Sequence, residues 1–186
     1  MERPVSDRNI LDQFCITFCE VVEKHARYII VSGFLVIASG RKRSTEDIDM
    51  ILERLDKVSF TALHHDLLRN GFACMQSTDA ETVYDDYLMK SASVRYTSNE
   101  GYTPEMEVKF AKDELDDMQL RHRLKIPFTG LDVWFGSIDM NIAFKEAYLK
   151  SDKDLEDALH LRIVFSEQIS ESAINDYKKM IRKLRL

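Results

Sequence analysis

Two carboxylates one residue apart, Asp47 and Asp49, stand between apolar neighbours in the run Asp47-Ile48-Asp49-Met50-Ile51-Leu52. On a strand, alternate side chains share a face, so this spacing predicts two carboxylates pointing the same way. Like charges side by side on a sheet repel, and burying them is costly without a counter-charge. A divalent cation is the simplest one, and carboxylate oxygens suit Mg²⁺ or Mn²⁺. For an Asp-x-Asp taken alone, a solvated strand end is the plainer reading. Here more chemistry lies on either side. Ser32-Gly33 breaks an apolar run; glycine allows close backbone approach, and a helix starting there offers free N–H groups to phosphate. Arg41, Lys42, Arg43, Ser44 and Thr45 then supply charge and hydroxyl donors. Farther on, Glu107 sits between Met106 and Val108. On a neighbouring strand it becomes a third ligand or a general base; otherwise it pairs with Lys109, two residues along the same face. A metal between a triphosphate and clustered carboxylates stabilises the charge that develops in phosphoryl transfer.

The elements that must position these residues can be read from periodicity. Apolar residues from Ile10 to Val22 recur at helical spacing, predicting a helix over 9–26. Tyr28 to Val31 is a buried strand, Phe34 to Ser39 a short helix stopped by Gly40, and Asp47 to Leu52 a second strand. Phe60 to Asn70 is an amphipathic helix with Gly71 at its left-handed end. Phe72 to Met75 reads as a strand and Asp79 to Met89 as an acidic helix. Ser91 to Thr97 and Thr103 to Phe110 flank a hairpin turn. One helical turn follows at 113–118, then two short strands at 121–127 and 131–135. Helices opened by Ser137 and Ser151, and a last one from Glu171, complete the chain.

The chain has 186 residues, enough for a hydrophobic core without disulfide or metal staples. Scarce glycine and proline suit a helix-rich α/β protein. A net charge of −6 excludes a surface that is basic throughout. Basic residues cluster locally instead. The cluster Lys178, Lys179, Arg182, Lys183 and Arg185 is expected on a solvated helix face that favours the C-terminal dipole. Cys15, Cys19 and Cys74 form no disulfide framework or zinc spacing and are expected to be buried thiols. His64, Trp134 and Phe135 read as structural, and the pairs Asp85/Asp86 and Asp116/Asp117 as solvated acids. The longest apolar run is too short to span a bilayer. With a charged start lacking a signal-like apolar segment, a cytoplasmic protein is expected.

The order of the pieces resembles the nucleotidyltransferase superfamily that includes DNA polymerase beta. That pattern is an apolar strand, Gly-Gly or Gly-Ser, about a dozen residues, an Asp-x-Asp between apolar residues, and a further acid on a later strand. Within the superfamily the chain is similar to the small prokaryotic branch of MNT-type enzymes and AbiEii-type toxins. Its Arg43-Ser44-Thr45-Glu46-Asp47-Ile48-Asp49 matches their Arg-x-Thr-x-Asp-Ile-Asp motif. Lys145, with the run Lys153-Asp154-Leu155-Glu156-Asp157-Ala158, matches a lysine and acidic run on their closing helices.

The resemblance covers about residues 25–165. It implies an α/β fold with a small mixed sheet flanked by helices, a core over 1–135 and a helical portion over 136–186, or a single domain. It implies transfer of a nucleoside monophosphate from an NTP to a hydroxyl of a tRNA, a protein or a small molecule. Asp47, Asp49 and Glu107 would be the catalytic and Mg²⁺ or Mn²⁺ ligands. Ser32, Gly33, Arg43, Ser44, Thr45, Lys145 and Lys153 would meet the nucleotide. Two departures mark this chain. Phe34 stands where a second small residue is usual, which predicts a crowded phosphate turn, and the third acid is a glutamate. Phe34 opens a rival reading: an inactive relative that acts by binding a partner in a toxin–antitoxin or regulatory pair.

Overall fold

The structure is a computed structural model that describes residues 9–42, 45, 47–101 and 103–186. Its centre is a five-stranded sheet in the order β1-β2-β5-β4-β3. The strands are β1 (Tyr28–Val31), β2 (Asp47–Leu52), β3 (Phe72–Cys74), β4 (Val94–Ser98) and β5 (Glu105–Phe110). β2 and β5 run parallel, and the remaining pairs are antiparallel. The sheet is therefore mixed, and its one parallel pairing is the one that joins the two acid-bearing strands.

Helices α1 (Ile10–Val22) and α3 (Lys57–Arg69) contribute Phe18, Val22, Phe60, Leu63 and Leu67 to the core. These meet the inward residues of the sheet, among them Met50, Leu52, Tyr96 and Val108. In β5 half-buried and buried residues alternate along the whole strand, as period-two patterning requires. Ile29, Ile51, Ala111 and Leu120 form a smaller apolar cluster of their own.

Capping fixes the helix starts. Asn9 and Asp12 form a reciprocal capping box on α1. Asp56 caps α3, Ser137 caps α6 (Ile138–Phe144), Ser151 caps α7 (Asp152–Val164) and Ser170 caps α8 (Glu171–Arg185). Helix α2 (Gly33–Ala38) ends before Gly40, whose φ is +95°. After α4 (Ala80–Thr82) the chain winds through a wider turn at 83–87 and a tighter one at 88–90. The predicted acidic helix is thus one continuous coil of changing pitch.

Several boundaries differ from the sequence reading. α1 stops at Val22, because the chain turns over 23–25 before β1. The expected single turn at 113–118 is the two-turn helix α5 (Glu114–Arg121), capped by Asp113 through the N–H groups of Leu115 and Asp116. Arg121 therefore belongs to a helix. The two short strands expected at 121–127 and 131–135 reduce to single bridges, Leu124 to Phe135 and Ile30 to Phe135. Pro127, which has no N–H to give a ladder, instead opens a short tight turn at 127–129. Among the described residues, no helix is long and apolar enough to cross a membrane.

Candidate active site

β1 ends at Val31, and Ser32 carries the turn into α2 with φ +66° and ψ −130°. A side chain seldom adopts this region, so the position is one that glycine suits and serine holds at a conformational cost. Two contacts hold it there. Its N–H donates to Asn141 Oδ1 at 3.1 Å. Its side chain lies beside the Asp49 carboxyl on the wall of one cleft. Asn141 is itself fixed, because Nδ2 donates to the carbonyls of Gly136 and Ser137. The turn is thus clamped between the sheet and α6.

This geometry corrects the alignment of the small-residue pair. Ser32 occupies the strained first place and Gly33 the second, at the start of α2. Phe34 then falls one residue into the helix and is fully buried in the main core. It lines neither cavity beside the turn. The expected crowding of the phosphate turn by Phe34 is therefore overturned.

Asp47 and Asp49 both line a polar cleft of about 300 Å³. Ser32, Gly33 and Thr45 close one side of it, and Ser151, Lys153 and Asp154 from the start of α7 close the other. Asp47 is exposed and Asp49 half-buried. Burial pushes the Asp49 carboxyl above the usual carboxylate range, against the pull of Lys109; Glu107, and more weakly Asp47, push it the same way as burial, while Ser32 opposes. Mutual repulsion contributes as the spacing predicted, but desolvation is the larger cause.

Glu107 is the register partner of Asp49 across the parallel β2–β5 ladder, and Glu105 the partner of Asp47. All four acids therefore project from one face. The cation that answers them is one the sequence reading missed. Arg95, opposite Glu107 on β4, reaches Glu107 at 3.3 Å and Glu105 at 3.5 Å. Its signal was available: an arginine in a strand of otherwise apolar and hydroxyl residues, Val94 to Ser98, one hairpin away from Glu107. Lys109, expected as the partner of Glu107, instead faces Asp49. Among the described residues, no three His, Cys, Asp or Glu side chains converge closely enough to enclose an ion. Of the three predicted acids, Asp47 and Asp49 line the cleft and Glu107 is turned to Arg95.

The remaining predicted residues separate. Thr45 lines the cleft and donates its hydroxyl to the Asp47 carbonyl. Lys153 lines the cleft and is exposed. Lys145 is 1% exposed and bonds Asp157 at 2.9 Å and Asp154 at 3.4 Å. Arg41 bonds the other oxygen of Asp157, so the loop before β2 is tied to α7. Arg43 and Ser44 lie outside the described residues. Asp116, expected to be solvated, is buried, accepting from Lys112 N–H and pairing with Arg185 at 3.0 Å. Nor is the C-terminal basic cluster simply a solvated face, since Arg185 is held by Asp113 and Asp116 and Lys178 by Glu146.

A second cavity, of about 190 Å³, opens on the same turn and shares Ser32 and Asp49 with the polar cleft. Its walls mix apolar and aromatic side chains with Gln119, Asn141 and Lys145.

Solved structures share this fold at low sequence identity. The antibiotic-resistance factor ANT(2'')-Ia superposes with a TM-score of 0.54 at 14% identity, covering 92% of this chain and 91% of that one. An antigenic nucleotidyltransferase-like protein from Paracoccidioides brasiliensis gives 0.53 at 13%, covering 94% and 88%. JHP933 from Helicobacter pylori gives 0.52 at 15%, covering 94% and 75%. No protein-family model matches the sequence, and no curated protein matches it.

Proposed function

We propose that this chain, which has the nucleotidyltransferase fold, moves a nucleoside monophosphate from an NTP to a hydroxyl acceptor and releases pyrophosphate. The observation that carries this reading is the pair Asp47 and Asp49, side by side in a cleft with the Ser32-Gly33 turn and Lys153. Among the described residues neither forms an ion pair. Two carboxylates kept side by side with no cation in direct contact, Lys109 and Arg95 acting only from farther off, are poorly explained as structure and well explained as a ligand set.

In this reading Asp47 and Asp49 would hold Mg²⁺ or Mn²⁺, whose preference for oxygen donors they fit. Such an ion supplies positive charge where the phosphates accumulate negative charge. Ser32, Gly33, Thr45 and Lys153 meet the phosphates, with Arg43 and Ser44 next to them in the chain. Lys145 acts from behind the cleft, fixing Asp154 and Asp157 and with them the start of α7. Glu107 orients or deprotonates the acceptor hydroxyl after exchanging its contact with Arg95. The Phe34 observation that favoured a purely binding role is gone, because Phe34 is core.

The acceptor remains a choice among a tRNA, a protein and a small molecule, within or beside the MNT and AbiEii branch. One structural neighbour is an antibiotic-resistance factor, so small hydroxyl-rich antibiotics come first in a panel that also holds bulk tRNA and the protein itself. Purified protein, Mg²⁺ or Mn²⁺ and α-labelled NTPs should give labelled acceptor and pyrophosphate, and Asp47→Ala should give neither. Pyrophosphate at background level with every NTP, metal and acceptor would sink the proposal.

A further inference from the structure

Among the described residues, one buried polar side chain in the wall of the cavity beside the polar cleft has no hydrogen bond. Gln119, on α5, is 4% exposed and lines the cavity. Among the described residues, nothing bonds its amide. The buried polar side chains that share its cavity are occupied: Asn141 bonds Ser32, Gly136 and Ser137, Asp116 bonds Lys112 and Arg185, and Lys145 bonds Asp157. A buried amide with no partner carries a desolvation cost that a native fold rarely tolerates without reason. Room is also kept for it. A Cβ added at Gly136 would lie 3.0 Å from Gln119 Oε1, so glycine there lets the amide reach its position.

The rest of the cavity says what the amide would meet. Phe144 and Tyr148 line it and pack edge to face, with centroids 6.2 Å apart. Ile51 and Val31 supply an apolar floor. Aromatic edges, an apolar floor and a buried free amide, with Lys109 and Tyr148 at the less buried part of the wall, suit a planar heterocycle with polar edges. At about 190 Å³ the cavity is smaller than the roughly 300–1,000 Å³ that takes a whole drug-sized ligand. It has room for a ring system, while the polar cleft joined to it at Ser32 and Asp49 has room for phosphates.

We infer that this cavity seats the base of the nucleotide and that Gln119 is the residue that reads it, favouring adenine. The inference rests on the nucleotidyltransferase reading of the adjoining cleft. A carboxamide pairs bidentately with adenine through N6 and N7. The N6 and N1 atoms present the same donor beside an acceptor on the other edge, so adenine complements the amide whichever edge turns inward. Guanine matches the amide only through O6 and N1–H; at N7 and O6 it offers two acceptors, which leaves the amide's own oxygen without a donor.

The test is a binding titration with Mg²⁺ and the non-hydrolysable α,β-methylene analogues of ATP, GTP, CTP and UTP, alongside inorganic tripolyphosphate. The native protein should bind the ATP analogue at least about fivefold tighter than the GTP analogue, the low end of what one bidentate base contact supplies. Gln119→Glu keeps the shape but cannot donate, and Gln119→Leu can do neither; both should bring that ratio towards one. Gly136→Ala, which leaves Gln119 in place but crowds its oxygen, should lower the ratio too. If tripolyphosphate binds but the four analogues bind alike, or if the Gln119 variants keep the native ratio, the base assignment is wrong while the transferase reading stands. If the variants alter acceptor use and not the base ratio, the cavity belongs to the acceptor and the inference is overturned. If neither tripolyphosphate nor any analogue binds, the transferase reading fails and takes this inference with it.

Discussion

The charges of the sheet cleft and the charges of the C-terminal helices have opposite fates. In the helices nearly every buried charge is spent inside the fold. Lys145 and Arg41 share Asp157, Glu146 takes both Arg162 and Lys178, and Arg185 lies between Asp113 and Asp116. In the cleft Asp47, Asp49 and Lys153 form no ion pair among the described residues, and burial pushes the Asp49 carboxyl above the usual carboxylate range. Ion pairs of the first kind tie the turn at 145–149 after α6, together with α7 and α8, to the loop before β2 and to α5. Unpaired charges of the second kind lower stability and keep a site ready for a charged ligand. Removing charge should therefore act on stability in one region and on chemistry in the other.

The largest effect is expected in the cleft. Asp49→Ala should lower nucleotidyl transfer by about 10³-fold, roughly 4 kcal/mol in the barrier, with the melting temperature little changed. A variant that unfolds instead would place Asp49 with the structural charges.

Next comes the helical network. Lys145→Met takes from Asp157 the buried ammonium it bonds at 2.9 Å, and breaking a buried pair costs about 3 kcal/mol or more. Denaturant unfolding of the full chain should show this loss. Much of it should return in Lys145→Met/Asp157→Leu, which leaves no lone buried charge. If the single variant is as stable as the native protein, the pair is not a clamp.

Glu146 sharpens the contrast through pH. Burial raises its carboxyl pKa, but the bonds from Arg162 and Lys178 outweigh that and hold it below the usual glutamate range. A depressed folded value means stability that is present above the ordinary glutamate pKa and lost as pH falls through the folded one. Glu146→Gln should therefore cost on the order of 1 kcal/mol at neutral pH, and the difference from native should vanish in acid. Thermal melts of the two proteins across that range decide it; a pH-independent gap would mean the side chain works by packing.

The smallest effect is expected from Asp47→Asn without divalent ions. Relief of like-charge repulsion should leave stability equal to native or up by a few tenths of a kcal/mol. Added Mg²⁺ should raise the native melting temperature, as binding to the folded state requires, and raise that of Asp47→Asn less. An equal rise in both would locate the ion elsewhere.

Period-two alternation made much of this readable from sequence. Asp47-Ile48-Asp49-Met50 declared both a strand and its two faces, and Tyr28 to Val31 and Asp47 to Leu52 match the observed strands to the residue. Caps at Ser137 and Ser151 were equally plain, because a cap is a local event. What the sequence hid was contact over distance. The partner of Glu107 is Arg95, which only the β4–β5 register brings opposite. Asp116 and Arg185 look solvated until α8 packs on α5, 69 residues apart in sequence, and a 3.0 Å bond joins them. Gln119 lies just past the helical turn expected at 113–118, and nothing local in the sequence marked it. Its burial depends on Gly136 and on the floor formed by β1 and β2.

The parallel pairing of β2 with β5 also sets where the chain can change length. A one-residue insertion within Asp47–Leu52 would turn Asp47 and Asp49 inward and Ile48 and Met50 outward, exchanging site for core in a single step. The same insertion in the segment 41–46 or at the turn 99–104 leaves both strands in register. The segment before β2, whose Thr45 lines the cleft, can therefore change in length while the six positions of β2 stay fixed in number. Loop length is then the cheapest route by which the site could come to admit a bulkier acceptor.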